Sequence, residues 1–355
     1  KKQNSKDVVL FGFGRIGRLC ARELIKQAGK GQQLRLKGVI LRKINKDELQ
    51  KRCALLIQDS VHGSFSSSLE IDYNDLSVLI NGQKIKFFDS ESMKNLSDYG
   101  INDALLIDNT GVYKDYKSLE RHLKLNGISK VLLTAPGQNM PNIVYGVNHN
   151  IVDVNDDKIL SAASCTTNAI APILKVISED NHIIKGHIET IHAYTNDQNL
   201  LDNMHSKNRR GRSAPINMVI TSTGAGKAVT KVIPSLKDKL TANAIRVPTP
   251  NGSLAIINLD LKNKYSNDEV NELIRKAALE GSLVNQIKYS MDKELVSSDI
   301  IGSPRASIFD SQATISSNDG NNILLYVWYD NEFGYTKQVI RLAKYISKVR
   351  RLHYY

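Results

Sequence analysis

The chain has 355 residues, 24% charged and 41% apolar, and at about 150 residues per domain it is long enough for two domains with their own cores. No apolar run reaches the roughly 18 residues of a membrane-spanning helix, and three cysteines, Cys20, Cys53 and Cys165, are too few and too scattered for a disulfide framework or a zinc cluster. The net charge of +12 is spread along the chain without interleaved aromatics, so solubility and small anionic ligands are expected before nucleic acid.

The basic start, Lys1-Lys2-Gln3-Asn4-Ser5-Lys6, has no apolar stretch and cleavage site behind it, so no secretory signal is expected. A reducing, cytoplasmic setting is the expectation. Val8-Val9-Leu10-Phe11 reads as a strand, Gly12-Phe13-Gly14-Arg15-Ile16-Gly17 as a turn, and Ile16, Leu19, Cys20 and Leu24 as one face of a helix stopped by Gly29 and Gly31. A second strand over 36–41 completes a β-α-β unit. Residues 104–107 and 130–133 are two more short apolar strands, with a helix over 119–125 between them. This alternation predicts a mostly parallel sheet covered by helices, with ligands at the carboxyl ends of its strands.

From Ser161-Ala162-Ala163-Ser164-Cys165-Thr166-Thr167-Asn168 a helix over 169–177 follows, and the texture then changes. Residues 183–193, 244–247, 253–261 and 322–328 read as longer strands, interrupted by helices over 226–233 and 267–280. That pattern predicts an α+β unit around a mainly antiparallel sheet. Residues 331–351 close the chain as an amphipathic helix with Val339, Leu342, Ala343, Ile346 and Val349 on one face.

Gly12, Gly14 and Gly17 stand where a dinucleotide-binding turn needs them, after a strand and opening a helix. The acidic residue that usually ends the second strand is missing; Arg42-Lys43 stand there. They suit a 2′-phosphate better than a ribose diol, or they are two solvated loop cations. Cys165 sits at a strand-to-helix junction among hydroxyls, where unpaired amides would lower its pKa and stabilise an oxyanion. Cys20 and Cys53 fit inert core thiols in helical stretches. His192, ending an apolar stretch, is either the partner of a nucleophile or a structural histidine. Lys207-Asn208-Arg209-Arg210-Gly211-Arg212 is an anion-binding loop or a solvated one. Thr221-Ser222-Thr223-Gly224-Ala225-Gly226-Lys227 offers hydroxyls and amides to a phosphate, and Arg246 offers a bidentate clamp.

Together with Asp59-Ser60-Val61-His62-Gly63, His192-Ala193-Tyr194-Thr195 and Trp328-Tyr329-Asp330-Asn331-Glu332-Phe333-Gly334-Tyr335, these stretches resemble, in order and over essentially the whole chain, the phosphorylating glyceraldehyde-3-phosphate dehydrogenases. The resemblance implies a Rossmann-type doubly wound parallel sheet in residues 1–164, completed by the last helix within 331–355, and an α+β catalytic domain over 165–330. It implies Cys165 as nucleophile and His192 as its activating partner. Thr195 and Arg246 would hold the substrate phosphate, Ser164, Thr166, Thr223 and Gly224 the inorganic phosphate, and Asp197 and Arg212 complete the substrate- and phosphate-binding set. Gly12, Gly14, Arg15, Ile16, Gly17, Arg42, Thr110, Thr134 and Tyr335 would contact the dinucleotide, with Asn331 at the nicotinamide amide. It further implies glyceraldehyde 3-phosphate and inorganic phosphate as substrates, a glycolytic or gluconeogenic role, and a homotetramer with the loop 194–215 at a subunit interface; no metal and no membrane partner are expected.

The departures from the family pattern are specific. Arg42 replaces the Asp of NAD-preferring members, and the run Asp197 to Asp202 followed by Met204 is similar to the chloroplast NADP-using branch. Asp197 replaces a second hydroxyl near the substrate phosphate, and Phe11 replaces an Asn before the glycine turn. NAD or NADP is the expected cofactor, with Arg42 favouring NADP. The rival expectations are an erythrose-4-phosphate dehydrogenase on the same scaffold and a non-catalytic nucleic-acid-binding or adhesion protein.

Overall fold

The computed structural model describes residues 5–27, 29, 33–93 and 95–349. The chain divides into two compact units, one of residues 1–143, 150–163 and 339–355, the other of 144–149 and 164–338.

In the first unit the elements are β1 (Lys6–Phe11), α1 (Arg15–Lys26), β2 (Leu34–Leu41), α2 (Lys46–Ile57), β3 (Gln58–Asp59), β4 (Gly63–Ser64), β5 (Leu69–Asp72), β6 (Ser77–Ile80), β7 (Gln83–Asp89), β8 (Ala104–Asp108), α3 (Tyr116–Leu123), β9 (Ile128–Leu133) and β10 (Ile159–Ser161). Among the described residues the main sheet runs β10-β9-β8-β1-β2-β7-β6-β5. It is parallel from β10 to β7, and the hairpin strands β6 and β5 extend it antiparallel. Every residue of β8 is buried, as a strand covered on both faces must be. Val9, Ile40, Leu106, Val131 and Leu133 form part of the core on one such face. Strand order reverses between β2 and β8 on the two sides of β1, which makes the carboxyl ends of β1 and β8 the switch point where such sheets bind ligands.

The second unit carries α4 (Cys165–Asp180), β11 (Ile183–Ala193), β12 (Val219–Thr221), α5 (Ala225–Val232), β13 (Leu240–Val247), β14 (Ser253–Leu261), α6 (Asn267–Leu279), β15 (Ile287–Ser290), β16 (Ser307–Asp310), β17 (Ile315–Ser316) and β18 (Asn322–Tyr329). Its sheet runs β12-β13-β11-β14-β18-β16-β15, with β17 on β18. Most pairs are antiparallel, but β11 pairs β13 and β15 pairs β16 in parallel. In β18 every second residue is buried, the signature of a sheet with one face on a core. The α4 helix packs against this sheet; Ser307 of β16 donates to the Ala169 carbonyl at 2.5 Å.

The last helix, α7 (Phe333–Ile346), is shorter than the expected 331–351. Asp330 Oδ1 accepts the Glu332 and Phe333 amides at 2.9 and 2.8 Å and sets the start. At the other end Lys348 takes φ 55°, while the Val349 amide returns to the Lys344 carbonyl, closing the helix. The expected extension over 350–355 and the Gly31 stop lie outside the described residues. The strand expected over 244–247 starts four residues earlier, at Leu240, and the helix over 119–125 starts at Tyr116 behind an Asp115 cap. No helix among the described residues is long and apolar enough to cross a membrane.

Candidate active site

In the first unit, the glycine turn leaves β1 with Gly12 at φ 89°, a left-handed conformation. A β-carbon on Gly17 would stand 2.4 Å from the Gly12 carbonyl oxygen, so helix and turn can close this tightly only on glycine. Nothing lies within 4 Å of where a Gly14 β-carbon would be, and Gly14 is the uncapped N-cap of α1. The turn therefore opens a cradle of backbone amides at a helix start, which fits a pyrophosphate. Thr110, after β8, sits against Gly12; its amide and hydroxyl both donate to Asp108 Oδ1. Thr134, after β9, donates to the Asp108 carbonyl at 3.0 Å. Thr110 thus stands at the switch point and Thr134 at the end of the adjacent strand β9.

Arg15 reaches Asp59 through two nitrogens at 3.2 and 3.3 Å. Burial raises the Asp59 pKa, but the His62 and Val61 amides and Arg15 outweigh it and bring it down to about 2. This explains the Asp59-to-Gly63 stretch, which anchors the residue after Gly14. Arg42 is exposed just beyond β2; the next acids along the chain, Asp47 and Glu48, lie in the first turn of α2 behind the Asn45 cap, and across the sheet Asp89 of β7 pairs with Leu41.

In the second unit, Ala163 adopts φ 56° just before the unit begins. Ser164 then caps α4 by accepting the Thr167 amide at 3.0 Å, which makes Cys165 the first helical residue. Its Sγ lies 3.6 Å from His192 Nε2. His192 Nδ1 is 2.7 Å from the Ala193 carbonyl oxygen. The Ala193 carbonyl only accepts and favours a proton on Nδ1, whereas Arg246 NH1, 3.0 Å from the same nitrogen, only donates; with the proton on Nδ1 the Nε2 lone pair faces sulfur. The parallel β11–β13 register sets Arg246 beside His192, and Arg246 NH1 donates to the same carbonyl at 2.9 Å. Arg246 Nε is buried with no partner among the described residues, an orphaned donor suited to an anion.

Arg210 completes the cationic side. It is buried, donates through Nε to Thr221 Oγ1 at 3.0 Å and is paired with Asp197. Its charge, after burial and Arg246, lowers the His192 pKa. Arg210 stood in the basic run of the sequence but was not singled out as a ligand. Asp197, expected in the phosphate-binding set, balances Arg210 here. Arg212, expected in the same set, donates through Nε to exposed Asp202 at 2.7 Å. Thr195 lies half-buried two residues past β11. Thr223 accepts the Ala225 amide at 3.2 Å, and Gly224 is the exposed N-cap of α5. Thr166 Oγ1 lies 3.0 Å from the buried Tyr329 hydroxyl, and Asn331 and Tyr335 are buried beyond β18.

The expected fall in the Cys165 pKa is corrected. Burial pushes the thiol up, against the opposing pull of Arg246 and Thr166. Burial, reinforced by Arg246, pushes His192 down to about 3. The resting pair is thus neutral thiol and neutral imidazole, a base poised beside a proton rather than a preformed ion pair. Alkylation of Cys165 by iodoacetamide is expected to accelerate continuously from pH 6 to above 8.5, and His192→Asn to slow it several-fold at pH 7. A flat rate from pH 6 to 8 in the unsubstituted protein would refute the neutral pair. Cys20 and Cys53 are buried and their thiols are pushed up, Cys53 to about 11, so neither competes.

Residues 6–116 match the family model for the glyceraldehyde 3-phosphate dehydrogenase NAD binding domain, and residues 164–331 that for the C-terminal domain of the same enzymes. The chain is 51% identical over 346 residues to a glyceraldehyde-3-phosphate dehydrogenase-like protein of Pseudomonas aeruginosa, covering 97% of this chain and 74% of that one. It is 39% identical to the glyceraldehyde-3-phosphate dehydrogenase of Neurospora crassa, over 96% of this chain and 97% of the relative. Glyceraldehyde-3-phosphate dehydrogenase 2 of Trichormus variabilis is likewise 39% identical, over 96% and 98%. With both family domains matched and full-length relatives at this identity, the chain belongs to the glyceraldehyde-3-phosphate dehydrogenase family.

Proposed function

We propose that the protein oxidises and phosphorylates glyceraldehyde 3-phosphate to 1,3-bisphosphoglycerate, with NAD(P)+ accepting the hydride. The observation that carries this reading is the 3.6 Å contact of Cys165 Sγ with His192 Nε2 beside Arg246. Sulfur adds to the aldehyde carbon and the carbonyl oxygen gains a proton, giving a thiohemiacetal. His192 Nε2 takes that hydroxyl proton as hydride leaves the carbon, and a thioester remains. The cofactor, when bound, supplies the hydride acceptor. An oxygen of inorganic phosphate then attacks the thioester carbonyl, the C–S bond breaks, and His192 returns its proton to the departing sulfur. Amides at the start of α4 stabilise the oxyanion.

In this reading Arg246, Arg210 and Thr195 hold the substrate phosphate, and Ser164, Thr166, Thr223 and Gly224 hold the attacking phosphate. Gly12, Gly14, Arg15, Ile16, Gly17, Thr110 and Thr134 hold the dinucleotide; Asn331 and Tyr335 hold its nicotinamide end. Exposed Arg42, where an acid would select a diol, supports acceptance of NADP at least as readily as NAD. Initial rates with glyceraldehyde 3-phosphate, with and without phosphate and with each cofactor, test both points. Turnover independent of phosphate would refute the phosphorylating reaction and favour hydrolysis, as in an erythrose-4-phosphate dehydrogenase. A kcat/KM for NAD a hundredfold above that for NADP would refute the cofactor reading.

We also propose a homotetramer and a cytoplasmic setting. Leu200, Leu201, Met204, Ile216, Met218 and Ile220 are all exposed in and after the loop 194–215, a concentration of apolar surface that marks an interaction site. Sedimentation as a monomer at micromolar concentration would refute the assembly.

A further inference from the structure

The hydroxyl of Ser253 is completely buried at the first position of β14. It accepts the Ala193 amide at 3.1 Å and donates to Asn331 Oδ1 at 2.8 Å. Tyr329, opposite Ser253 in the β14–β18 register, brings its hydroxyl to the same cluster and to Thr166. One small side chain therefore touches the residue after the base His192, the residue that carries the proposed nicotinamide contact, and the tyrosine bound to the neighbour of Cys165.

The direction of these bonds has a consequence for Asn331. The Ala193 N–H occupies a lone pair of Ser253, and the serine proton goes to Asn331 Oδ1. That commits the oxygen of the Asn331 amide to the protein interior. Its Nδ2 has no partner among the described residues, so the amide is left presenting donors. Asp330 holds the same turn from the other side. It accepts Asn251 Nδ2 at 2.9 Å and the Gly302 amide at 2.7 Å as well as the start of α7. The backbone at 330–331 is thus fixed independently of Ser253, and what Ser253 decides is the rotation of the Asn331 amide.

We propose that Ser253 is a positioning residue that orients the Asn331 amide to donate to the carboxamide carbonyl of the nicotinamide and ties that orientation to the strand end carrying His192. The inference rests on the assignment of Asn331 to the nicotinamide made above. Without the serine proton the amide is free to rotate, and half of its rotamers oppose an acceptor with an acceptor. Loss of one such oriented hydrogen bond is expected to weaken NAD+ binding about tenfold.

The test compares dissociation constants, read from the quenching of the single Trp328, for NAD+ and for an analogue with hydrogen in place of the carboxamide. Ser253→Ala is expected to weaken NAD+ about tenfold and to leave the analogue within twofold. The coupling between Ser253 and Asn331 is read from the double variant S253A/N331A, which is expected to bind NAD+ no more weakly than N331A alone. Ser253→Cys, close in size and a poor donor, is expected to show the same selective loss and serves if the alanine variant does not fold. Unchanged NAD+ binding in N331A would overturn the assignment of Asn331 itself. A loss in N331A with no loss in S253A, or with equal losses for both dinucleotides, would overturn the role of Ser253.

Discussion

Cys165→Ser is expected to lower kcat/KM by roughly 10⁴-fold or more, the scale on which removal of a covalent nucleophile acts. A serine hydroxyl at 165 would remain protonated at neutral pH, because an alkoxide is far harder to form than a thiolate, and it would be a much poorer nucleophile in the same place. The contact distance also works against the serine, because a shorter C–O bond draws the nucleophilic atom away from Nε2, which already stands 3.6 Å from sulfur. The fold has no reason to fail. The α4 helix is capped by Ser164, not by Cys165, and a serine side chain is close in size to a cysteine, so little packing is lost. The melting temperature and NAD(P) affinity are expected to stay close to those of the unsubstituted protein, and the fast-alkylating thiol to disappear. Survival of a tenth of the activity would remove Cys165 from the nucleophile's place.

Local pattern carried much of this reading, and non-local pairing accounts for the rest. The β1–turn–α1 unit was legible because its geometry is settled within a dozen neighbouring residues: glycine is forced at 17 by the close Gly12 carbonyl and at 12 by a left-handed φ. The β11 strand was legible over its whole length because its end coincides with His192. The choice between Arg210 and Arg212 was not. Both stand in one basic run, and which guanidinium turns inward depends on how that run folds back. The Asn203 amide bonds the Gly211 carbonyl, Arg209 takes φ 68°, and Thr221 of β12 waits for Arg210. The β5–β6 extension was missed because its strands are short and partly exposed, with too few apolar alternations to stand out. The thiol pKa was misjudged for another reason: the helix start and hydroxyl neighbours are visible in sequence, but the burial that outweighs them exists only after folding.

Arg246→Gln is expected to lower kcat/KM for glyceraldehyde 3-phosphate by roughly 10²- to 10³-fold, the range for a charged donor acting on anionic groups in a desolvated site. Three effects point the same way. The buried Nε, without a partner among the described residues, is lost as an anion donor. The bond from NH1 to the Ala193 carbonyl, the same oxygen that orients His192, is lost with it. The field that opposes the rise in the Cys165 pKa is removed, so less thiolate forms at pH 7 and alkylation slows. The same loss lets the His192 pKa rise, since Arg246 holds it down after burial. An unphosphorylated aldehyde separates these effects. If Arg246 binds the substrate phosphate, glyceraldehyde is expected to lose only the part due to the thiol and the base, no more than about tenfold. Equal losses for the phosphorylated and unphosphorylated aldehydes would confine Arg246 to tuning the Cys165–His192 pair and assign the phosphate to other groups.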